Sequence, residues 1–301
     1  MIDYYGYIDC PVLENKHTRV VLTVHGGRVL EYSLSGKNSL YLDPEGAGMT
    51  YLPNKESHGS FGARFDIGPE YTIPEHPELW LGEWHVEHAD SRSVRMMSNR
   101  DCSTGLKLIR EFVLQGESSH LLVTQTICNE SEEQQNCCHW SRTFGLGGGK
   151  VIIPLSCSSR FPKSYVMYGP GSVIEYQPYD PAIRVRDGFL EIVEKPARPK
   201  LGMDSYAGWF AYLERNDLLF VKRFPVFPDR VYGEIAGLTL SIYYCEDSLC
   251  ELEPIGPLER LQPGESASFT EEWFLQDYPF PGEEEVDLSE LTHLVKGLEG
   301  W

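Results

Sequence analysis

The sequence has no run of about 18 consecutive apolar residues, so it contains no segment suited to cross a bilayer as a helix. Its first residues also lack the charged segment followed by an apolar stretch that directs secretion. The expected compartment is therefore the cytoplasm. Basic residues are scarce: 26 Lys and Arg stand against 45 Asp and Glu, for a net charge of -19. Such a field repels a phosphate backbone and an anionic membrane, which excludes nucleic acid and membrane as partners and leaves a small neutral or polar molecule. Internal repeats of fixed period, low-complexity linkers and helical periodicity are absent or nearly so. The eight cysteines, Cys10, Cys102, Cys128, Cys137, Cys138, Cys157, Cys245 and Cys250, are scattered among strand-like apolar neighbours. They lack the close pairs of a zinc site, so they read as reduced core or strand residues, and no metal is expected. Disulfides would require an oxidising compartment. Cys137 and Cys138 are adjacent and cannot face the same side of a strand, so one is expected to be buried and the other not.

What is present is a succession of short β-rich runs bounded by Gly, Pro, Asn or Asp. They cover 18–24, 29–34, 106–114, 121–129, 151–154, 188–193, 208–213, 218–224, 238–245 and 266–275. With 28 Gly, 20 Pro and 12% aromatics, the chain predicts an all-β fold of large antiparallel sheets. All-β sandwiches of this length often form one unit, so residues 1–301 are expected to be a single domain. One helix is expected, over about 287–298: Asp287 is placed to cap it, and Leu288, Leu291, Leu294, Val295 and Leu298 form an apolar stripe. Glu283, Glu284 and Glu285 just before it read as solvated charges favouring the helix start.

The most telling stretch is Cys250 to Leu275. In extended chain, Glu251 and Glu253 share one face while Cys250 and Leu252 take the other. Pro254 should end the pairing, and Pro257, Pro263 and Gly264 punctuate a turn before the next strand. A strand end carrying paired carboxylates suits a site that grips hydroxyl groups or moves protons.

Five segments, taken in order, resemble the galactose-mutarotase-like superfamily that includes the aldose 1-epimerases, with an uncharacterised bacterial branch as the nearest likeness. They are His25 to Tyr41, Gly62 to Glu70, Ile127 to Ser131 leading to His139 to Phe144, Lys200 to Trp209, and the Glu251 to Leu275 region. The likeness implies a β-supersandwich, a sugar or oligosaccharide ligand, no cofactor, and a monomer or homodimer. In the first segment, Gly26-Gly27 and Gly36-Lys37-Asn38 are turn chemistry.

The resemblance also implies site residues. The family carries a substrate-binding arginine early in the chain, which maps to Arg64; a structural pairing with Asp66 or Glu70 is the alternative. A histidine that protonates the sugar ring oxygen maps to His139, against a plain hydrogen-bonding role within the sheet. The family follows that histidine with an aromatic and an asparagine, whereas Trp140, Ser141 and Arg142 follow here. Trp140 and Arg142 join the substrate-binding set. His85 is read as a sugar contact, since an H-x-x-H spacing with His88 on a strand does not suit a metal. Trp80, Trp84, Trp140 and Trp209 offer flat faces for a sugar ring, of which one or two are expected in the cleft. The late Leu-Glu-Pro glutamate that takes the anomeric proton maps to Glu253; Glu251 could be the reactive group instead, or the two could divide the roles of acid and base. Lys200 and Lys222 could meet a uronic acid carboxylate or pair with these glutamates. Three activities fit this set: anomer interconversion by Glu253 and His139, carbohydrate binding without catalysis, and lysis or hydrolysis of oligosaccharides.

Overall fold

A computed structural model of the chain describes residues 1–53, 61–156, 159–171, 173–245 and 248–299. Two large antiparallel sheets face each other across an apolar interior. From edge to edge, the ten-stranded sheet runs Ile183–Arg186, Phe189–Ile192, Lys150–Pro154, Trp209–Glu214, Leu218–Arg223, Ser266–Asp277, Leu121–Asn129, Leu106–Leu114, Ser93–Met97 and His85–Ala89. The main path of the twelve-stranded sheet runs Ile174–Glu175, Val166–Tyr168, Lys200–Met203, Leu240–Cys245, Leu249–Pro254, Gln135–Leu146, Ala63–Gly68, Arg28–Leu34, Thr18–Thr23 and Val12–Glu14. Glu259–Leu261 and Lys37–Asn38 pair onto its Gln135–Leu146 and Arg28–Leu34 strands. The all-β architecture expected from composition is the one observed.

Alternation explains the longest strands. In Leu106–Leu114, residues 106, 108, 110, 112 and 114 are buried and those between are not, and Leu121–Asn129 repeats the pattern in register with it. At Ser35-Gly36 both residues have positive φ, 51° and 83°, the two-residue turn whose twist matches that of the strands it joins. The expected helix forms as Leu288–Lys296, with the Asp287 carboxylate accepting from the Ser289 and Glu290 N–H groups. Leu288, Leu291, Val295 and Leu298 bury against Ile152, Leu219, Val221 and Phe274 on the outer face of the ten-stranded sheet. Among the described residues, no helix is long and apolar enough to cross a membrane.

Three expectations need correction. The strand Gln135–Leu146 is absent from the β-rich runs visible in the sequence, because polar and apolar residues mix along it and its neighbours decide its pairing. Pro254 does not end the pairing: it lies opposite Leu240, and Ile255 bridges Trp140. Cys137 and Cys138 do point to opposite faces, but both are buried. Cys137 is in the core between the sheets, and Cys138 is in a second cluster with Trp140, Phe161, Val166, Leu238 and Ile255. Loop residues cover the outer face there, so both faces of the strand are dry. The seven described cysteines are free, and Cys157 lies outside the described residues.

A polar cluster interrupts the apolar interior. Lys222 and Glu271, both fully buried, pair at 2.8 Å. The Lys222 ammonium also donates to Thr143 Oγ1 at 2.9 Å, to Ser141 Oγ at 3.3 Å and to the Leu252 carbonyl at 3.4 Å. Gln125 and the Trp273 indole donate to the Glu271 carboxylate, each at 2.9 Å. Burial pushes the Lys222 ammonium down and Glu271 opposes the shift. Removing one member of such a pair leaves a buried charge uncompensated, which costs about 3–5 kcal/mol, whereas an apolar replacement of both is often neutral. Equilibrium urea unfolding should therefore show Glu271→Ala destabilised by about 3–5 kcal/mol and the Lys222→Met, Glu271→Leu double variant recovering most of it. A loss under about 1 kcal/mol in the single variant would show that the pair does not brace the two sheets.

Candidate functional site

Side-chain alternation sorts the candidates onto two faces. Along Gln135–Leu146, Cys137, His139, Ser141 and Thr143 point between the sheets, and Cys138, Trp140 and Arg142 point outward. On the strands beside it, Cys250 and Leu252 enter the core, which leaves Glu251 and Glu253 facing outward with Arg142. Ala63 and Phe65 likewise point inward, and Arg64 and Asp66 outward. Arg142 lies opposite Arg64, and Trp140 opposite Asp66, in the pairing register.

The outward residues form a chain of alternating charge across the sheet. Lys200 Nζ lies 2.7 Å from Glu253 Oε2. Arg142 Nη1 lies 3.7 Å from Glu253 Oε1 and 3.5 Å from Glu251 Oε1. Its Nε is 3.1 Å from Asp66 Oδ2, and its Nη2 is 3.8 Å from Glu70 Oε1. Arg64 Nη2 lies 3.5 Å from Asp66 Oδ2, and the Arg64 guanidinium sits 4.1 Å from the centre of the Trp80 ring. His76 completes the row. Its Nε2 is 2.8 Å from Asp66 Oδ1 and its Nδ1 is 2.6 Å from the Pro74 carbonyl, so both ring nitrogens face acceptors and both carry protons.

These contacts set the protonation of the row. Burial alone would lower the His76 pKa, but the Asp66 hydrogen bond and charge outweigh it and raise it. Asp66 is held well below the usual carboxylate range: burial is outweighed by Arg142, His76 and Arg64. Burial opposes the charge of Arg142 too, and Asp66, Glu251, Glu253 and Glu70 together keep it charged. The neighbouring glutamates divide. Burial and the charge of Glu253 push Glu251 up to about 7. Glu253 goes down to about 2 because Lys200 and Arg142 overcome its burial. The two carboxyls project from one strand face, and their mutual repulsion together with unequal access to the cations drives them apart, Glu251 up and Glu253 down.

Beside this row lies a hollow of about 410 Å³, lined in part by Arg64, Asp66, Glu70, His76, Trp80 and Arg142. Among the described residues, Arg64 Nε, Trp140 Nε1, Tyr168 OH and Glu234 Oε1 are buried on this face without a hydrogen bond. An unsatisfied buried polar group costs about 1–3 kcal/mol, which a polar group placed against it would relieve. Gly68 lets the floor close, since a Cβ there would lie 2.8 Å from the Trp140 ring and 2.9 Å from Cys138 Sγ. Among the described residues no group of His, Cys, Asp and Glu has the geometry to hold a metal ion.

Arg64, Arg142, Lys200, Glu251 and Glu253 are therefore brought together, with Trp140 beneath them. Trp140 is fully buried under the Arg142 and Lys200 cations, 4.5 and 5.2 Å from its ring centre, and presents no free face to a sugar. The other four sequence candidates lie elsewhere. His139 is stacked between Phe65 and Phe269 inside the sandwich and donates to or accepts at no group of the outer face; its Nε2 is 3.1 Å from the Ala267 carbonyl. Burial pushes its pKa down to about 4 and keeps the ring neutral. Lys222 is in the interior pair with Glu271. Trp209 packs under the C-terminal helix on the far sheet. His85 is exposed on the edge strand of that sheet, with Nε2 2.9 Å from Asn99 Oδ1. The expectation that His139 and Glu253 act as acid and base in one cleft fails for a simple reason: they project from opposite faces of one sheet. His76, Asp66 and Trp80 take the vacated places. Only the histidine set between Pro74 and Pro77 hinted at His76, because a loop has no periodicity to show where it will fold.

No protein-family model and no functionally described protein matches the sequence. Solved structures do match the fold. A protein of Escherichia coli K12, provisionally assigned as an aldose 1-epimerase, aligns with a TM-score of 0.60 at 12% identity, over 89% of this chain and 99% of its own. A galactose mutarotase-like protein from Lactobacillus casei gives 0.60 at 10% identity, over 89% and 100%. A protein of Synechocystis sp. PCC 6803 gives 0.62 at 15% identity, over 92% and 99%. The chain has the galactose-mutarotase-like fold.

The Glu251 environment has a measurable consequence. With its folded pKa raised to about 7, the folded protein binds more protons than the unfolded chain between the ordinary carboxyl value and 7, so this group's contribution to stability falls as pH rises through that window. Glu251→Gln removes the cost. Its melting temperature relative to the unsubstituted chain should rise between pH 5 and pH 8, by about 2 °C or more. A difference independent of pH would show that Glu251 titrates normally. Glu253 has the opposite sign: its stabilisation is present above the ordinary carboxyl value and is lost as pH falls toward 2.

Proposed function

We propose that the outer face of the twelve-stranded sheet is a saccharide-binding site. The observation that carries this reading is one hollow lined by the alternating charges of Arg64, Asp66, Glu70, His76 and Arg142, from which Arg142 continues the row to Glu251, Glu253 and Lys200. Hydroxyl groups both donate and accept, so a polyol can satisfy guanidinium N–H groups and carboxylate oxygens together, which a simple ion cannot. The hollow falls within the roughly 300–1,000 Å³ of small-molecule sites. Trp80 at its wall carries Arg64 on its ring. The solved neighbours of this fold include proteins named for galactose mutarotase and aldose 1-epimerase, which supports the same ligand class.

One observation favours a second reading, anomer interconversion. Burial and the charge of Glu253 push Glu251 up to about 7, which suits a carboxyl that takes the proton of a C1 hydroxyl and returns it. In this reading Glu251 is the proton acceptor, since Glu253 is fully buried between Lys200 and Arg142. As the C1–ring oxygen bond breaks, N–H donors of Arg142 and Arg64 would stabilise the ring-oxygen anion, which recloses on the other face of C1 while Glu251 returns the proton to O1. Hydrolysis by the same pair is disfavoured, because two carboxyls two residues apart on one strand face approach a substrate from the same side and cannot flank a glycosidic bond.

Two measurements separate the readings. Thermal unfolding with glucose, galactose, xylose and glucuronate should show a ligand-dependent rise in melting temperature, abolished in Arg142→Ala. No rise with any sugar would end the saccharide reading. Polarimetry of freshly dissolved sugar should show faster anomer equilibration with the protein, reduced at least about a hundredfold in Glu251→Gln and unchanged in His139→Phe. Melting shifts without acceleration would leave binding alone.

A further inference from the structure

Glu253 is closed off by the cations that hold it. Its side chain is fully buried, while Lys200 and Arg142 above it keep 13% and 14% of theirs exposed. Arg142 cannot easily leave, being in contact with Asp66, Glu70, Glu251 and Glu253 at once. Lys200 is different. Among the described residues its one ionic partner within 4 Å is Glu253, at 2.7 Å, and its flexible stem ends among the rings of Trp140, Tyr168 and Tyr243, 5.2 to 5.9 Å away. Those aromatic faces attract a cation without fixing its direction.

Resting on the saccharide-binding reading above, we propose that Lys200 selects saccharides bearing a carboxylate, by exchanging Glu253 for the carboxylate of a uronic acid as its ionic partner and so uncovering Glu253. The exchange is like for like. The ammonium is already largely withdrawn from water and already bonds a carboxylate, so an incoming one meets a prepared partner. Glu253 is not stranded by the exchange, because Arg142 remains, with Nη1 3.7 Å from its Oε1. A neutral sugar has no charge to offer and leaves the Lys200–Glu253 pair closed. Glu253 thus competes with the ligand from inside the protein, and the apparent affinity is reduced by the fraction of time Lys200 is occupied.

Calorimetric titration of the intact chain with glucuronate, glucose and glucose 6-phosphate tests this. Glucuronate should bind at least about tenfold more tightly than glucose. Lys200→Met should erase that preference, and Lys200→Arg should retain part of it. Glu253→Gln, which removes the internal competitor, should tighten glucuronate severalfold. The inference is overturned if the preference survives Lys200→Met, if Glu253→Gln weakens glucuronate, or if glucose 6-phosphate binds more tightly than glucuronate. Binding of glucose with no preference for glucuronate would sink the Lys200 exchange and leave the saccharide site standing, whereas no binding of any of the three would remove both.

Discussion

Four carboxylates meet one guanidinium on the outer face of the twelve-stranded sheet, and the charge of Arg142 is what allows it. In a chain of net charge -19, Asp66, Glu70, Glu251 and Glu253 would repel one another and take up protons if they were simply clustered. Arg142 touches all four, and its planar fork serves them in different directions. Lys200, Arg64 and His76 finish the neutralisation from the sides. The division of the glutamate pair follows from unequal access to these cations: Glu253 has both Lys200 and Arg142, and Glu251 has Arg142 at 3.5 Å with Glu253 pressing on it. The chemistry of the face is thus a consequence of where the positive charges sit.

The face is braced from behind. Lys222 reaches from the ten-stranded sheet to Ser141 and Thr143, which flank Arg142 in sequence, and to the carbonyl of Leu252, which lies between Glu251 and Glu253. The interior ion pair therefore ties these two strands to the opposite sheet from their inward side, while the outward side carries the row of charges around Arg142. Polar side chains on both faces of one strand are the mark of a sheet whose interior positions the exterior. His139 belongs to this interior layer, held flat between Phe65 and Phe269 with a neutral ring.

Much of the scaffold was legible in the sequence. The strands Leu106–Leu114 and Leu121–Asn129 and the capped C-terminal helix carry their periodicities openly, because each buries one face against a single neighbour. The placing of Glu251 and Glu253 on one face was also readable, since alternation along a strand needs only local geometry. The strand Gln135–Leu146 was not. It is covered on both faces and shares its edges with several partners, so its residues show neither alternation nor an apolar run. Reading His139 as a site residue came from its place in a motif, and a motif does not record which way a side chain points when the strand around it goes unrecognised.

The sequence by itself determined the all-β class, the acidic surface and the pairing of two glutamates on a common strand face, because composition and a two-residue period are local properties. Only the tertiary structure decided which cations those glutamates meet. Arg64, His76, Arg142 and Lys200 come from four separate stretches of chain, and sheet order brings them to one side. The same order sends His139 and Lys222 to the other side. Electrostatic energy depends on distance and on exclusion of water, and neither exists until the strands are laid side by side.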